Sequence, residues 1–438
     1  MAQTVEDNLK DWHSELNLFA PSSFQTTILK EYYQDYLPSA SLANNAPIEF
    51  YAPGVPGRYR DLNNSKYEFK VKITHEDGGA LVADDAKLVG TVNNMCHSIF
   101  LAGDMEVNGK QITDPSTNYG VRAYAEKIIN NPRGVFETRM QCEGWAKDTA
   151  GKFEDTDPKG ANAGLLKRET WIAENATRVF MGRPHLDLFH QNKLIPPNVD
   201  LKFRFVPQKP EYVLMTTAGN AAKKYKFEIT SARLFILTKE VSPSLILAHE
   251  KLLDEGPYRI AFNKITSKVI NIPSGMNNFE ADNIYMGTLP DKIIMVMIPN
   301  TNMSGTYGTN PFHFHHANLN YLALKVNGEM LPTSAFQPNF AGKEYIMEYY
   351  KVLEALNFDI GPTCWDLTPE EWADGYNIWA FKITPGPLGD VRSLPRSGNI
   401  RLEMKFSEAT NKIYNVVLLS SRPAELQIDK FRSVTINE

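Results

Sequence analysis

Two stretches of this chain match one another: His97-Ser-Ile-Phe-Leu-Ala-Gly-Asp-Met-Glu-Val-Asn-Gly-Lys110 and His316-Ala-Asn-Leu-Asn-Tyr-Leu-Ala-Leu-Lys-Val-Asn-Gly-Glu329. In both, a histidine stands ten positions before a valine, and Asn-Gly follows the valine directly. Asn-Gly between strand-like runs predicts a β-hairpin, because a two-residue type I′ turn needs positive φ at both central residues. The copies are 219 positions apart, half of the 438-residue chain, so we predict a domain that is built twice. The predicted structural turns are Asn108, Gly109, Asn327 and Gly328.

The correspondence extends beyond the hairpins. A helical pattern follows each turn, with apolar or aromatic residues spaced i, i+3, i+4 and i+7. These residues are Val121, Tyr124, Ala125 and Ile128 in the first half and Ile346, Tyr349, Tyr350 and Leu353 in the second. Further on, the alternating run 199–205 matches the run 400–406 at an offset of 201, which is 18 fewer than the hairpin offset. The first copy must therefore carry an insertion, which we place near 133–185.

Composition limits the class of protein. The chain has 438 residues, 42% of them hydrophobic, which is enough for two cores, and a single core rarely grows to this size. Its formal net charge of −5 argues against sequence-specific nucleic-acid binding, which calls for clustered Lys and Arg. No apolar run reaches the roughly 18 residues of a membrane span, and no secretory signal is evident at the N-terminus. Cys96, Cys142 and Cys364 are too widely spaced for a CxxC motif, so we expect a soluble chain without a disulfide scaffold.

Short strand-like runs fill both halves. In the first half they are 47–51, 66–74, 97–107, 110–113, 199–206, 211–216 and 226–240. In the second half they are 257–272, 291–299, 316–326, 329–332, 377–384, 399–406, 412–420 and 426–436. Many short strands with Gly, Pro and Asn turns, and one good helix per half, predict an all-β fold. We expect a double jelly roll, with two antiparallel eight-stranded β-sandwiches in tandem.

This pattern divides the chain into four predicted parts. They are a polar, irregular N-terminal arm at 1–46, a first jelly roll at 47–241, a helical linker at 242–256 and a second jelly roll at 257–438. The linker has a serine that can cap a helix, a proline suited to its first turn and a glycine just past its end. We expect the insertion and the loop 332–344 to leave the sandwiches at strand ends and to form the outer surface or contacts between chains.

The densest candidate for chemistry is His313-Phe-His315-His316, because imidazole is a common metal ligand. On a strand, His313 and His315 would point one way and His316 the other, and no carboxylate or cysteine stands nearby at ligand spacing. We therefore favour a polar strand edge or a subunit contact over a metal site. The chain also lacks a phosphate loop, a zincin helix and a nucleophile elbow. We assign no catalytic, cofactor-binding or metal residue and predict that the protein is not an enzyme.

An ordered series of short motifs resembles the major capsid proteins of Polinton (Maverick) elements and adintoviruses. The motifs are Pro47-Ile-Glu-Phe50, Tyr59-Arg-Asp-Leu62, Tyr67-Glu-Phe-Lys-Val-Lys-Ile73, Val92-Asn-Asn94, His97-Ser-Ile-Phe100, Val107-Asn-Gly109, Tyr119-Gly-Val-Arg-Ala-Tyr124, His185-Leu-Asp-Leu-Phe189, Val199-Asp-Leu-Lys-Phe203, Gly287-Thr-Leu-Pro290 and Asn310-Pro-Phe-His-Phe314. Each motif is weak alone, and the ordered series, over roughly residues 18 to 335, is more specific. The later region matches through the internal repeat.

The resemblance implies a double jelly roll whose homotrimer forms a pseudo-hexameric capsomer. Such capsomers tile an icosahedral shell around a double-stranded DNA genome, together with a minor or penton capsid protein, so the expected location is the virion. Three alternatives stay open: a capsid-derived host protein with a new role, a glycan-binding protein made of two jelly rolls, and a hydrolase of that architecture.

Overall fold

The computed structural model describes residues 24–42, 46–81, 88–114, 118–157, 159–172, 177–359, 364–384 and 394–437. The first half contains β1 Ile28–Tyr36, β2 Ile48–Ala52, β3 Arg58–His75, β4 Val89–Thr91, β5 Phe100–Val107, β6 Lys110–Gln111, β7 Arg178–Gly182, β8 Leu201–Pro207, β9 Leu214–Thr216 and β10 Tyr225–Val241. The second half contains β11 Tyr258–Ile272, β12 Asn278–Thr288, β13 Lys292–Pro299, β14 Leu319–Val326, β15 Glu329–Phe336, β16 Ile378–Lys382, β17 Ser397–Phe406, β18 Tyr414–Ile428 and β19 Val434–Asn437.

Helices connect these strands. The α-helices are Met95–Ser98, Tyr119–Asn130, Arg133–Phe136, Ala163–Ile172, Pro210–Val213, Ala218–Ala221, Pro243–Glu255, Asn300–Ser304, Ile346–Leu356 and Pro369–Ala373, and the 3-10 helices are Arg139–Glu143 and Asp187–His190. The two helices predicted after the hairpins are present in equivalent places, one after β6 and one after β15. None of the described helices combines the length and hydropathy that a membrane crossing demands.

Both halves have the same strand connectivity. In the first, the sheets run β1-β10-β3-β7 and β2-β8-β5-β6, with β4 and β9 forming a small extra pair. In the second, they run β11-β18-β13-β16 and β12-β17-β14-β15, with β19 added beside β18. When the eight main strands of each half are counted in chain order, both read 1-8-3-6 and 2-7-4-5, and their ladders are antiparallel. This is a jelly roll made twice, so the predicted fold class is confirmed.

Aromatic side chains fill the core of the first jelly roll. Phe69, Phe100 and Phe205 come from three strands in two facing sheets, and Phe100 lies 4.8 Å and 5.2 Å from the other two rings. In the second jelly roll, Trp379 on β16 packs 5.1 Å from Phe336. These side chains are almost fully buried. Strand alternation predicted such inward positions, because successive side chains on a strand face opposite sides.

Four strands, β1, β4, β7 and β12, lie outside the sequence-based predictions. Residues Ile28–Tyr36 were assigned to an irregular arm, yet they form the edge strand β1 and pair with β10. Strands β4 and β7 have three and five residues, too few to show a clear alternation, and exposed polar residues interrupt the alternation of β12. Two predicted strands at 412–420 and 426–436 are instead the long β18 followed by the short β19. The rest of the predicted arm, at 1–23 and 43–45, lies outside the described residues.

The two Asn-Gly turns are geometrically alike. Asn108 and Gly109 have φ of 47° and 76°, and Asn327 and Gly328 have φ of 53° and 88°. Each asparagine also binds the strand beside its own hairpin. Asn108 Oδ1 accepts from the backbone N of Asp200 at 2.7 Å, and Asn327 Oδ1 accepts from the backbone N of Asn399 at 2.9 Å. The asparagine side chain therefore joins β5 to β8 and β14 to β17 at equivalent points.

Replacement of Gly328 with valine is expected to lower the free energy of unfolding by about 1–3 kcal/mol, because a β-branched residue is strained at positive φ. Denaturant titration of the purified variant measures this change. Gly256→Val is the matched control, since its φ of −175° is extended and no atom lies within 4 Å of the added Cβ. Equal stability of the two variants would show that the turn does not require its left-handed conformation.

Candidate functional site: the interface between the two jelly rolls

Part of the predicted insertion lies against the second half of the same chain. Lys147 Nζ donates to Glu371 Oε2 at 2.9 Å, and Tyr376 Oη donates to the backbone O of Asp148 at 2.8 Å. The segment 145–157 thus contacts both halves within one chain, and the expectation that the insertion forms the outer surface or contacts between chains stays a prediction. Its aromatic residues within a polar stretch are the sequence signal that could have indicated burial.

Stacked aromatic rings cross this interface. Tyr124, on the helix Tyr119–Asn130, stacks on Phe312 of the second half, with centroids 4.3 Å apart and an interplanar angle of 17°. Trp145 also stacks on Tyr124, with ring centroids 4.9 Å apart. Phe314 meets the Tyr124 ring edge-on, with centroids 5.7 Å apart. All four side chains are buried. Such pairs contribute about 0.5–1.5 kcal/mol each beyond the burial of their area, so the halves are joined by packed rings.

A fully buried ion pair lies beside the aromatic stack. Arg168 Nη2 donates to Asp148 Oδ1 at 2.7 Å, and both side chains have 0% exposure. The guanidinium also donates to the backbone O of Thr91 at 2.8 Å and to that of Ala146 at 2.5 Å. Asn162 Nδ2 donates to Asp148 Oδ1 at 2.9 Å. The charges are therefore paired and hydrogen-bonded, as burial of an ion pair requires.

A second buried polar network lies beneath the helix Tyr119–Asn130. Glu143 contacts both Lys127 and His97, and its Oε2 is 2.8 Å from His97 Nε2. Burial alone would raise the pKa of Glu143, but the charge of Lys127 and the hydrogen bond from His97 hold it below its usual range. Burial, followed by the charge of Lys127, lowers the pKa of His97 well below its ordinary value. His97 is therefore neutral in the folded protein at neutral pH.

This network predicts that stability falls on acidification. The folded pKa of His97 lies below the unfolded value of about 6.5, so the unfolded chain takes up the proton first as the pH falls below 6.5. The loss grows as the pH falls further below 6.5. Burial also lowers the pKa of His190, to about 3, and adds to the effect in the same direction. Urea unfolding at pH 7.5 and pH 5.0 measures the difference, and His190→Gln is expected to reduce it. Equal stability at both pH values would contradict the assignment.

The histidines of the segment 313–316 lie at the interface, and two of them are near a carboxylate of the first half. His313 Nδ1 lies 2.6 Å from Glu154 Oε1, and His315 Nε2 lies 3.6 Å from the same oxygen. The His316 ring instead stacks on Phe340, with centroids 4.0 Å apart. The segment 313–316 precedes β14 and is not itself a strand, apart from one bridge at Phe314. The carboxylate that was missing at ligand spacing comes from a residue 159 positions away, which the chain folds into contact.

A cleft lies where the helix Pro243–Glu255 meets both halves. This cleft has a volume of about 750 Å³ and is lined mainly by apolar and aromatic residues. They include Tyr59, Leu245, Leu253, Tyr258 and Ile260. Tyr59 Oη lies 2.7 Å from His249 Nδ1 at its wall. Binding sites are usually concave and mostly apolar, so the cleft is a further candidate contact surface.

The chain is similar to known proteins in sequence and in structure. No protein-family model matches the chain. The uncharacterized protein F54H12.2 of Caenorhabditis elegans is 20% identical over 381 residues, which cover 83% of this chain and 86% of that protein. The cryo-electron microscopy structure of the Sputnik virophage superposes with a TM-score of 0.64 at 11% identity, covering 97% of this chain and 92% of that one.

Two other solved structures are major capsid proteins. The Faustovirus major capsid protein has a TM-score of 0.57 at 10% identity, with 96% of this chain and 94% of that chain covered. The mavirus major capsid protein has a TM-score of 0.51 at 12% identity, with 98% and 94% covered. Because the likeness extends over nearly the whole of each chain, both jelly rolls and their order are shared. The chain therefore has the double jelly-roll fold.

Proposed function

We propose that this chain is a major capsid protein that forms homotrimeric, pseudo-hexameric capsomers. The observation that carries the proposal is the identical connectivity of the two jelly rolls, 1-8-3-6 and 2-7-4-5 in each half. Three chains with two similar units each present six similar units around one axis, and closed symmetry of this kind restricts which surfaces meet. Such capsomers would tile an icosahedral shell around double-stranded DNA, with a minor or penton protein completing it.

The same proposal divides the chain into two domains. The first jelly roll begins at β1 and ends near residue 241, since β1 pairs with β10 from Ile28 opposite Val241. The helix Pro243–Glu255 is the linker, and the second jelly roll occupies 257–438. The structure supports this division, because each main sheet takes its strands from one side of that helix.

The Polinton (Maverick) and adintovirus type is the finer part of the proposal. Its support is the ordered series of motifs from Pro47 to Phe314. A competing proposal is a capsid-derived gene that a host retains for another task. The relative in Caenorhabditis elegans favours that alternative, because the match spans most of both chains and occurs in an animal.

Size-exclusion chromatography with light scattering, followed by electron microscopy, tests the function. We expect particles of three times the chain mass of 49.4 kDa, with pseudo-hexagonal outlines, and shells at high protein concentration. A monodisperse monomer under all conditions would overturn the capsid proposal and favour the glycan-binding or hydrolase alternatives. If the purified protein forms trimers but assembles into shells only together with the penton protein, shell formation requires that partner.

A further inference from the structure

Glu154, His313 and His315 form a compact group of metal-ligating side chains at the junction of the two jelly rolls. Glu154 belongs to the inserted segment of the first half, whereas the histidines precede β14 in the second. Their ligand atoms all lie within 4.8 Å of one another. We propose that these three side chains bind one divalent transition-metal ion, of the zinc class, which fastens the inserted segment to the second jelly roll.

The distances suit such an ion. Zinc bonds to imidazole nitrogen and carboxylate oxygen are about 2.0–2.2 Å long, so two ligand atoms of one tetrahedral site lie roughly 3.4 Å apart. The distances from Glu154 Oε1 to His313 Nδ1 and His315 Nε2, 2.6 Å and 3.6 Å, lie on either side of that value. Side-chain movements of about 1 Å or less at Glu154 would bring both distances to the tetrahedral value.

The electrostatics of Glu154 also favour a cation. Within the described part of the chain, no lysine or arginine is at ion-pair distance from this carboxylate, and the histidines His313 and His315 are its nearest basic groups. His315 Nε2 is buried and has no hydrogen-bond partner among the described residues. A bound ion would satisfy the unpaired nitrogen and balance the carboxylate charge.

A second group of one glutamate and two histidines has an arginine beside its carboxylate and is therefore a poorer cation site. Glu126 lies beside His185 and His190, but Arg122 Nε is 2.7 Å from Glu126 Oε1. The guanidinium already balances that carboxylate, and a divalent cation beside it would be repelled. The two groups thus share their ligand types but differ in charge, and the Glu126 group provides a matched control.

Surrounding contacts hold the proposed ligands in place. Asn302 Nδ2 donates to Glu154 Oε1 at 3.1 Å, and Phe153 stacks on the ring of His313 with centroids 5.0 Å apart. The backbone N of His315 donates to the backbone O of Met297 at 2.9 Å. Supporting contacts of this kind orient metal ligands. The side chain of Glu154 is 40% exposed, which leaves a path for the ion and for water as a further ligand.

Imidazole and carboxylate ligands select the kind of ion. Magnesium and calcium prefer oxygen ligands, whereas imidazole suits zinc and its first-row neighbours. Zn²⁺ is therefore the probe, and Co²⁺ is a spectroscopic substitute whose visible absorption reports nitrogen and oxygen ligation. The site would join residues from the two halves, so occupancy should stabilise their contact.

Equilibrium dialysis of untagged, chelator-treated full-length protein against Zn²⁺, with metal analysis, tests the proposal. We expect about one zinc per chain in the wild type, and a rise of the thermal midpoint on the order of 3 °C at a hundredfold excess over Kd. Glu154→Gln and His315→Gln should each abolish the bound zinc and the thermal shift, while Co²⁺ absorption disappears. His190→Gln should retain all three signals.

Three outcomes would overturn the inference. They are zinc binding far below one per chain in the wild type, equal binding by Glu154→Gln and the wild type, and loss of binding in His190→Gln alone. Circular dichroism of each variant identifies misfolding, and Glu154→Gln preserves the size and hydrogen-bonding shape of the side chain. Because both substituted positions are partly exposed, at least one variant is expected to fold.

Discussion

Asp148→Ala is expected to lower the free energy of unfolding by about 3–5 kcal/mol, because it breaks a fully buried ion pair. The substitution leaves the Arg168 guanidinium buried without its counter-charge, 2.7 Å from the vacated position and with 0% exposure. It also removes the acceptor of Asn162. Denaturant unfolding monitored by tryptophan fluorescence measures the loss.

A double-mutant cycle separates pairing from packing. Replacing both partners, with Asp148→Ala and Arg168→Met, is expected to cost less than Asp148→Ala alone, because no buried charge remains unpaired. The exposed pair of Lys224 and Glu76, with side chains 63% and 64% exposed, supplies the control. Glu76→Ala should change stability by less than about 1 kcal/mol. Similar losses for Asp148→Ala and Glu76→Ala would show that the buried pair is not structurally important.

Phe312→Ala is expected to lower the free energy of unfolding by about 3–5 kcal/mol and to loosen the contact between the jelly rolls. Phe312 belongs to the second half, yet its ring stacks on Tyr124 of the first half and meets Tyr212 edge-on at 6.3 Å. Its removal leaves a cavity between the halves. Scanning calorimetry should then separate the unfolding transitions of the two halves more widely than in the wild type.

The control removes another phenylalanine side chain, one whose ring contacts lie within a single jelly roll. Phe336 is buried against Trp379 and Phe381, both in the second half. Phe336→Ala should destabilise that half by a similar amount without exposing the interface to the first. Limited proteolysis distinguishes the variants, since Phe312→Ala should increase cleavage in the segment 145–157. Identical cleavage and calorimetry for both variants would contradict a coupling role for Phe312.

The duplicated hairpin was predictable because its cause is local. Positive φ at Asn108 and Gly109 is a property of two adjacent residues, and the flanking alternation reports which strand face is buried. The helices Tyr119–Asn130 and Ile346–Leu356 were predictable for the same reason, since the i, i+3, i+4, i+7 spacing of apolar residues lies within a short stretch of sequence. Repetition of these local signals in the same order in both halves then indicated a duplicated domain.

Strands β1 and β12 escaped prediction because edge positions weaken the pattern. β1 exposes most of its side chains, and its place is set by backbone pairing with β10. β12 likewise exposes most of its residues beside β17. A backbone ladder accepts almost any residue, so sequence alone does not reveal such a strand.

The sequence by itself determined the all-β class, the duplicated hairpins and the helix after each of them, because each depends on residues that are neighbours along the chain. Tertiary structure alone decided where the inserted segment lies. It brings Asp148 to Arg168 within the insertion, and it brings Glu154 to His313 and His315 across 159 positions. Contacts between distant residues form only when two cores have packed, and their partners leave no periodic signal. The aromatic and charged interface between the jelly rolls is accordingly a property of the fold.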